Sequence, residues 1–202
     1  MSKETKYKIC RRLGPGVYEK CQTPKFALSE SKKNPKRGKR RKQVSDYGAQ
    51  LLEKQKVRLT YGLREKGLVK YIKEAKAQRE VSVYDKLFEG VESRLDNTVF
   101  RLGLAETRAK ARQMVTHGHI TVNGKKMNVP SYRVTVGDVV GIRIQSQGKI
   151  LFEDLEGRIK NANIPTWLSF DIKKKEGKMN GLPKIGAGEM FDLGAVFEYY
   201  SR

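Results

Sequence analysis

Residues 94–144 read RLDNTVFRLGLAETRAKARQMVTHGHITVNGKKMNVPSYRVTVGDVVGIRI, and this stretch decides the fold. Apolar residues recur at helical spacing in its first half, which predicts two short basic helices, Arg94 to Leu102 and Thr107 to His117. Asn123-Gly124 then separates two alternating runs, a strong signal for a two-residue hairpin because both turn positions need positive φ. Alternating runs at 132–136 and 140–144 predict a closing strand pair. The stretch therefore predicts two helices packed on a small antiparallel sheet.

The positions left outside this core are mostly basic or polar. In the first predicted helix, Leu95, Val99 and Leu102 form one apolar face and leave Arg94 and Arg101 outward. In the second, Arg108 and Arg112 share a face, and guanidinium groups one turn apart can contact successive phosphates. The simpler alternative is a solvated basic surface. We expect RNA to bind here, and the candidate contacts are Arg94, Arg101, Arg108, Lys110, Arg112, His117, His119, Asn123, Lys125 and Arg133.

His117 and His119 also raise the question of a metal site or an acid–base pair. No cysteine or carboxylate stands at ligand spacing around them, so the signal for a metal is weak, and we expect no cofactor. A histidine at a helix C-terminus favours the cationic form, which suits RNA contact or helix capping. The chain has no nucleophile elbow and no phosphate-cradling glycine loop, so we expect no catalytic activity.

The charge of the whole chain points to a polyanionic partner. Its 202 residues hold 43 Lys and Arg against 22 Asp and Glu, a formal net charge of +21. Such a surplus favours nucleic acid or an acidic membrane surface. No run of about 18 apolar residues is present, so we expect no membrane span, and the N-terminus has no secretory signal.

The charge is unevenly distributed along the chain. Residues 1–44 carry +12, residues 45–149 carry +9, and residues 150–202 are neutral. We therefore expect the head and the middle to meet the polyanion. We expect the tail, with Trp167, Phe197 and other aromatic residues, to pack partly on the helical domain and partly against protein. A tail whose aromatic residues all lie in the core is equally open.

Residues 1–44 show no sustained apolar period, and the sequence predicts a basic irregular arm. This arm either stays solvated or becomes ordered along phosphates. It contains both cysteines of the chain, Cys10 and Cys21. A structural zinc site needs four ligands, and a disulfide framework is unusual with two cysteines, so we expect free thiols in a reducing compartment.

From residue 45 onwards the pattern becomes helical. Ser45-Asp46 predicts an N-cap for a helix from Tyr47 to Tyr61 that Gly62 ends. This helix carries three further candidate RNA contacts, Lys54, Lys56 and Arg58. Its apolar residues are spread around it, which fits a helix wedged between protein and RNA or a poorly packed surface helix. Leu68, Tyr71, Ile72 and Ala75 then predict an amphipathic helix.

Short groups of residues in the central stretch form a recognisable series. They are Arg94-Leu95-Asp96-Asn97, Arg101-Leu102-Gly103, Thr107-Arg108-Ala109, Ala111-Arg112-Gln113, His117-Gly118-His119-Ile120, Val122-Asn123-Gly124-Lys125, Pro130-Ser131-Tyr132-Arg133 and Gly137-Asp138-Val139. This series resembles the alpha-L RNA-binding motif. It is most similar to the ribosomal small-subunit protein S-four family of bacteria and organelles. Further matches lie at Ser45-Asp46-Tyr47-Gly48, residues 53–58, Pro165-Thr166-Trp167-Leu168, Gly177-Lys178-Met179 and Tyr200-Ser201-Arg202.

The resemblance implies an α+β fold in which an alpha-L domain is inserted into a mainly helical domain, preceded by the basic irregular arm. The expected boundaries are 1–44 for the arm, 45–92 for the helical domain, and 93–160 for the alpha-L domain. Residues 161–202 form a C-terminal segment that returns to the helical domain, which about 178–202 completes. Some members of the family bind zinc through four N-terminal cysteines, but this chain has two, so that property is not expected here.

The resemblance also implies a function as a structural constituent of the small ribosomal subunit. Members of the family bind small-subunit ribosomal RNA at a junction in its 5′ domain, nucleate assembly there, and support translational accuracy. They lie near the channel through which mRNA enters, where Arg40 and Arg41 match the family's basic residues. They contact ribosomal small-subunit protein five. We expect the chain in the ribosome, in bacterial cytoplasm or in an organelle, and no membrane partner.

Two other functions remain open at this stage. The alpha-L motif also occurs in pseudouridine synthases and some tRNA synthetases, but these need a separate catalytic domain, and only about 90 residues precede the motif here. A free-standing RNA chaperone that acts on stalled subunits is the other possibility. The helical flanks and the neutral tail favour a fixed place in the ribosome.

Overall fold

The computed structural model describes residues 5–33, 44–78, 82–186 and 191–201. The chain divides into two compact units, Met1–Ile72 with Ala187–Arg202, and Lys73–Gly186. The second unit is an insertion in the first along the chain. The predicted α+β class is confirmed, because helices and an antiparallel sheet are both present.

The first unit is helical. Its elements are α1 (Lys6–Leu13), two 3₁₀ turns (Pro15–Val17 and Glu19–Gln22), α2 (Pro24–Lys33), α3 (Asp46–Thr60), most of α4 (Glu65–Ala77) and, near the C-terminus, α9 (Leu193–Tyr199). Ser45 caps α3 as predicted, since its hydroxyl accepts a hydrogen bond from the Gly48 N–H at 3.3 Å. Gly62, with a φ of 62°, follows the end of α3, also as predicted.

The N-terminal segment differs from its prediction. Residues 5–33 are largely helical rather than irregular, and Cys10 and Cys21 form a disulfide instead of remaining free thiols. Cys10, Cys21 and Phe26 are buried together, with Tyr7 and Tyr18 packed against them. The apolar residues are too few and too irregularly spaced to show a helical period, yet the short turns bring them into one cluster. Arg40 and Arg41, predicted near mRNA, lie outside the described residues.

The C-terminal helix packs on α3 within the first unit. Val196 and Phe197 of α9 and Val57 of α3 are buried. The Gln50 side-chain amide donates a hydrogen bond to the Glu198 carboxylate at 2.8 Å. Helix α1, the 3₁₀ turn Pro15–Val17 and α9 all pack against α3, which accounts for its distributed apolar residues.

The second unit combines helices with one antiparallel sheet. Its elements are α5 (Val83–Glu92), α6 (Leu95–Arg101), α7 (Arg108–Thr116), β1 (Ile120–Val122), β2 (Lys125–Lys126), β3 (Val139–Ile142), α8 (Leu155–Asn161), β4 (Leu168–Asp171) and β5 (Glu176–Met179). The strand order is β2-β1-β3-β5-β4. Leu95, Val99 and Leu102 of the α6 segment join Met114 and Val115 of α7 in the core over this sheet, as their spacing predicts.

The hairpin prediction is confirmed. Asn123 and Gly124 have φ values of 50° and 76°, and Thr121 pairs with Lys126 across the turn. The Met127 N–H donates to the Ile120 carbonyl at 3.1 Å, so these two residues are opposite each other as expected.

The predicted strand at 132–136 does not form. This segment makes one isolated bridge, Arg94 with Arg133, and then a turn in which the Asp138 carboxylate accepts hydrogen bonds from Thr135. The place beside β3 belongs to β5, which comes from residues far along the chain. Gly177 of β5 fits there because its missing side chain leaves room for Leu102, whose Cδ1 would lie 2.5 Å from a Cβ at that position. The inserted unit therefore extends beyond the predicted 93–160.

Candidate nucleic-acid interface

Helix α7 presents one apolar and one basic side. Thr107 caps its first turn, since the hydroxyl accepts a hydrogen bond from the Lys110 N–H at 3.1 Å. Ala111, Met114 and Val115 are buried against the sheet. Arg112 is consequently exposed, and Lys110 is half-buried with an ion pair to Glu106 at 3.4 Å.

Arg108 is held in a defined orientation at the start of α7. Its guanidinium lies 4.3 Å from the centroid of the Phe100 ring, a cation–π contact. Its Nε donates to the Asn97 Oδ1 at 2.9 Å. The Asn97 amide nitrogen donates in turn to the Glu92 carboxylate at 2.8 Å. This chain of contacts fixes the position of the guanidinium before any ligand is present.

Glu92 anchors this network from inside the protein. It is 0% exposed, and its two carboxylate oxygens accept hydrogen bonds from Arg101 at 2.6 and 2.9 Å. Arg101 was predicted to face outward, and its side chain is 29% exposed, but its charge is compensated by Glu92. Glu92 was not identified from the sequence, because a single glutamate nine residues before an arginine carries no periodic signal.

Arg94 lies inside the second unit. It is 5% exposed and forms a bidentate ion pair with Asp96, in which its Nε and Nη2 donate to the two carboxylate oxygens at 2.9 and 2.7 Å. The prediction that Arg94 faces outward is wrong, because Asp96 two residues later draws the guanidinium back across the start of α6. Arg133 pairs with the Glu89 carboxylate, while its side chain remains 52% exposed.

The C-terminal end of α7 carries a cluster of basic side chains. Gly118, with a φ of 70°, ends the helix, and the stem of Lys126 runs over it, since a Cβ at Gly118 would lie 2.3 Å from the Lys126 Cε. The rings of His117 and His119 lie 6.2 Å apart between their centroids. His119 Nδ1 is 2.9 Å from the Ser146 hydroxyl.

Three cations at this end were absent from the predicted set: Lys126, Arg143 and Lys149. The Arg143 N–H donates to the His119 carbonyl at 2.9 Å, which continues the β1–β3 ladder. The antiparallel register could have placed Arg143 beside His119, had the sequence shown that β3 pairs with β1. Lys149 follows a 3₁₀ turn whose position has no sequence signal of this kind.

Burial lowers the pKa of His119 from 6.5, and the positive charges of Lys149, His117 and Arg143 lower it further. His119 is therefore predominantly neutral at pH 7. Because the unfolded state binds this proton more tightly, the contribution of His119 to stability decreases as the pH falls below about 6.5.

We expect an RNA phosphate near this cluster to raise the pKa of His119, so RNA affinity should increase as the pH falls from about 7.5 to 5.5. The measurement is the ¹H NMR titration of the imidazole with and without RNA. His119→Phe should reduce the pH dependence of binding. A pKa of His119 that is unchanged by RNA would contradict this assignment.

The hairpin β1–β2 adds Lys125, which is exposed. Asn123 has a supporting role, because its amide donates to Asp138 at 2.8 Å and accepts from the Val139 N–H at 2.9 Å. Burial would raise the pKa of Asp138, but hydrogen bonds from Thr135 and Asn123 outweigh it and lower the pKa below 3.8. Asn123 and Asp138 thus hold the two turns of this region together.

The three candidate contacts of the first unit are differently placed. Lys54 is 5% exposed, pairs with Glu65 at 3.0 Å, and lies 4.7 Å from the centroid of the Tyr199 ring. Its ammonium is enclosed by the protein, so we leave it out of the interface. Lys56 pairs with Glu53 at 3.2 Å and Arg58 bonds to Gln55 at 2.7 Å, and both are half-buried.

Among residues 5–33, 44–78, 82–186 and 191–201, no three histidine, cysteine or acidic side chains are grouped as metal ligands. In the same ranges, no helix has the length and apolar character needed to cross a bilayer.

Comparison with known proteins identifies the relatives of this chain. The family model described as "Ribosomal protein S4/S9 N-terminal domain" matches residues 2–92, and the one described as "S4 domain" matches residues 93–140. The "Small ribosomal subunit protein uS4A" of Alkaliphilus metalliredigens is 43% identical, with 96% of each chain covered. The "Small ribosomal subunit protein uS4" of Roseiflexus castenholzii is likewise 43% identical over 96% of each chain. The protein of that name from Herpetosiphon aurantiacus is 46% identical, over 81% of this chain and 78% of its own.

Proposed function

The chain belongs to the ribosomal protein S4 family, and from that membership we propose that it binds small-subunit ribosomal RNA directly, as a structural component of the small ribosomal subunit. The chain is not an enzyme, since its family consists of structural ribosomal proteins. The observation that carries the direct RNA contact is the basic side of α7, continued by the cations at its C-terminal end.

The proposed RNA contacts all lie on the second unit, and each side chain is either exposed to solvent or held in a fixed orientation. They are Arg108, Lys110, Arg112, His117, His119, Lys125, Lys126 and Arg133. Lys56 and Arg58 on α3, in the first unit, are expected to make a smaller contribution to RNA binding. Arginine and lysine at these positions suit phosphates, and recognition through shape is expected because side chains cannot enter the deep major groove of an A-form helix.

The finer parts of the function rest on the family resemblance. We propose that the chain nucleates assembly of the 5′ domain, lies near the channel through which mRNA enters, and supports translational accuracy. Arg40 and Arg41 would face mRNA, and ribosomal small-subunit protein five would be a neighbour. The charge of +12 on residues 1–44 supports an RNA-facing N-terminus. The host compartment would be bacterial cytoplasm or an organelle.

A fixed place in the ribosome can be distinguished from transient binding. We expect the chain to sediment with small subunits at one copy per subunit and to remain there through a high-salt wash. A free-standing chaperone would dissociate in the wash, because its binding would depend on phosphate contacts alone, and these weaken steeply with salt. The measurement is quantitative mass spectrometry of washed subunits, with crosslinks to RNA from the same sample. If the wash removes the chain, or if washed subunits contain much less than one copy each, the structural role is refuted.

A further inference from the structure

The register of the sheet brings several separate segments to one end of it. Ile120 of β1 pairs with Ile142 of β3, so His119 and Arg143 leave the sheet side by side. On the other flank Gly141 pairs with Glu176, and Glu176 pairs with Asp171, so the turn between β4 and β5 leaves at this same end. Neighbouring strands are about 4.8 Å apart, which puts these segments within about 15 Å.

This end of the sheet carries a row of basic residues. Lys173 and Lys174 lie in the β4–β5 turn and are exposed. The Asp171 carboxylate beside them accepts hydrogen bonds from their backbone N–H groups, at 2.9 and 3.3 Å. Asp171 is therefore engaged in the turn. Arg143 and Lys149 continue the row towards His119, whose pKa they lower.

Two isoleucines that follow these cations in the chain have side chains that are almost fully exposed to solvent. Ile144, which follows Arg143, is 85% exposed, and Ile150, which follows Lys149, is 83% exposed. Each lies in a short 3₁₀ turn that leaves its apolar side chain in water. Exposed apolar surface that is rimmed by polar residues is typical of a binding surface.

We propose that this end of the sheet is a second RNA-contact surface, the sheet-end strip, in which cations take phosphates and the two isoleucines pack against riboses or base faces. The strip is defined by His119, Arg143, Ile144, Lys149, Ile150, Lys173 and Lys174. The proposal rests on the proposed function, since it extends the RNA grip of the same unit from α7 to the far flank of the sheet. The excess of positive charge favours RNA over a protein partner as the occupant.

The test separates the two kinds of contact by their response to salt. The binding constant of the full chain for small-subunit ribosomal RNA is measured over a series of KCl concentrations. Lys173→Gln with Lys174→Gln should reduce the slope of log K against log salt by about two phosphates' worth, roughly 1.4 to 1.8. Ile144→Ser with Ile150→Ser should lower affinity by roughly tenfold without changing that slope, because an apolar contact releases no counterions.

A matched control is Lys160→Gln with Lys184→Gln, which removes two exposed lysines from α8 and from the segment after β5, outside the strip. This control should leave the slope near that of the wild type. If the wild-type chain does not bind the RNA at all, the proposed function fails. If the wild type binds but both strip variants behave like the control, the sheet-end strip is refuted. Isoleucine variants that keep full RNA affinity but lose a neighbouring ribosomal protein from assembled subunits would also overturn it.

Discussion

Replacing Glu92 with alanine is expected to lower the free energy of unfolding by about 3–5 kcal/mol, the range observed when one partner of a buried ion pair is removed. Glu92 is fully buried and accepts hydrogen bonds from Arg101 and from the Asn97 amide. The substitution removes the carboxylate that accepts from Arg101 and Asn97, although Asn97 keeps its hydrogen bond to the carbonyl of residue 92 at 3.1 Å. It also opens a cavity beside α6. Urea unfolding followed by circular dichroism measures the change.

The matched control is Glu156→Ala, which removes an exposed acidic side chain from α8 in the same unit. A change within about 0.5 kcal/mol is expected there, as for most surface substitutions. A loss below about 1 kcal/mol for the Glu92 variant would contradict the buried ion pair. The variant should also weaken RNA binding, because Asn97, which accepts from Arg108, would lose one of its two hydrogen bonds to residue 92.

The second large effect concerns RNA affinity. Arg108→Ala combined with Arg112→Ala should lower the affinity for small-subunit ribosomal RNA by roughly 10²- to 10⁴-fold, because each guanidinium is expected to make one charge-assisted contact of about 1.5–3 kcal/mol. The salt dependence should flatten by about two phosphates' worth. Electrophoretic mobility shift or fluorescence titration at several salt concentrations measures both quantities.

The single variants distinguish the parts of this surface. Arg112 is exposed, so Arg112→Ala should change RNA binding with little effect on stability. Arg108→Ala should also cost some stability, because Phe100 and Asn97 lose a packed and hydrogen-bonded partner. Lys160→Ala on α8 serves as the binding control. An unchanged salt slope in the double variant would exclude this side of α7 as a phosphate contact.

Local patterns in the sequence were sufficient for the elements whose contacts are near in the chain. The helices α3, α4, α6 and α7 form where apolar spacing and caps predict them. Asn123-Gly124 predicts its own turn because positive φ at both positions is a property of those two residues. The basic side of α7 follows from the same spacing, since burying one face leaves the other for Arg112.

Contacts between residues that are distant in the chain could not be predicted from local sequence patterns. Residues 132–136 alternate like a strand, but β5 takes the place beside β3, and no local pattern ranks one pairing above another. Lys54 reads as a basic helix position, but Glu65 and the Tyr199 ring enclose it. In the N-terminal segment, the disulfide between Cys10 and Cys21 and a cluster of a few side chains decide the structure, and neither has a period to detect.

The sequence by itself determined the family, the class of partner and the helical framework of the RNA-binding unit, because charge, spacing and turn chemistry are local properties. Tertiary structure alone decided which cations are available to a polyanion. Arg94 and Lys54 are withdrawn because Asp96 and Glu65 neutralise them inside the protein. Arg143 and Lys173 come to one end of the sheet because antiparallel register joins segments that are far apart in the chain.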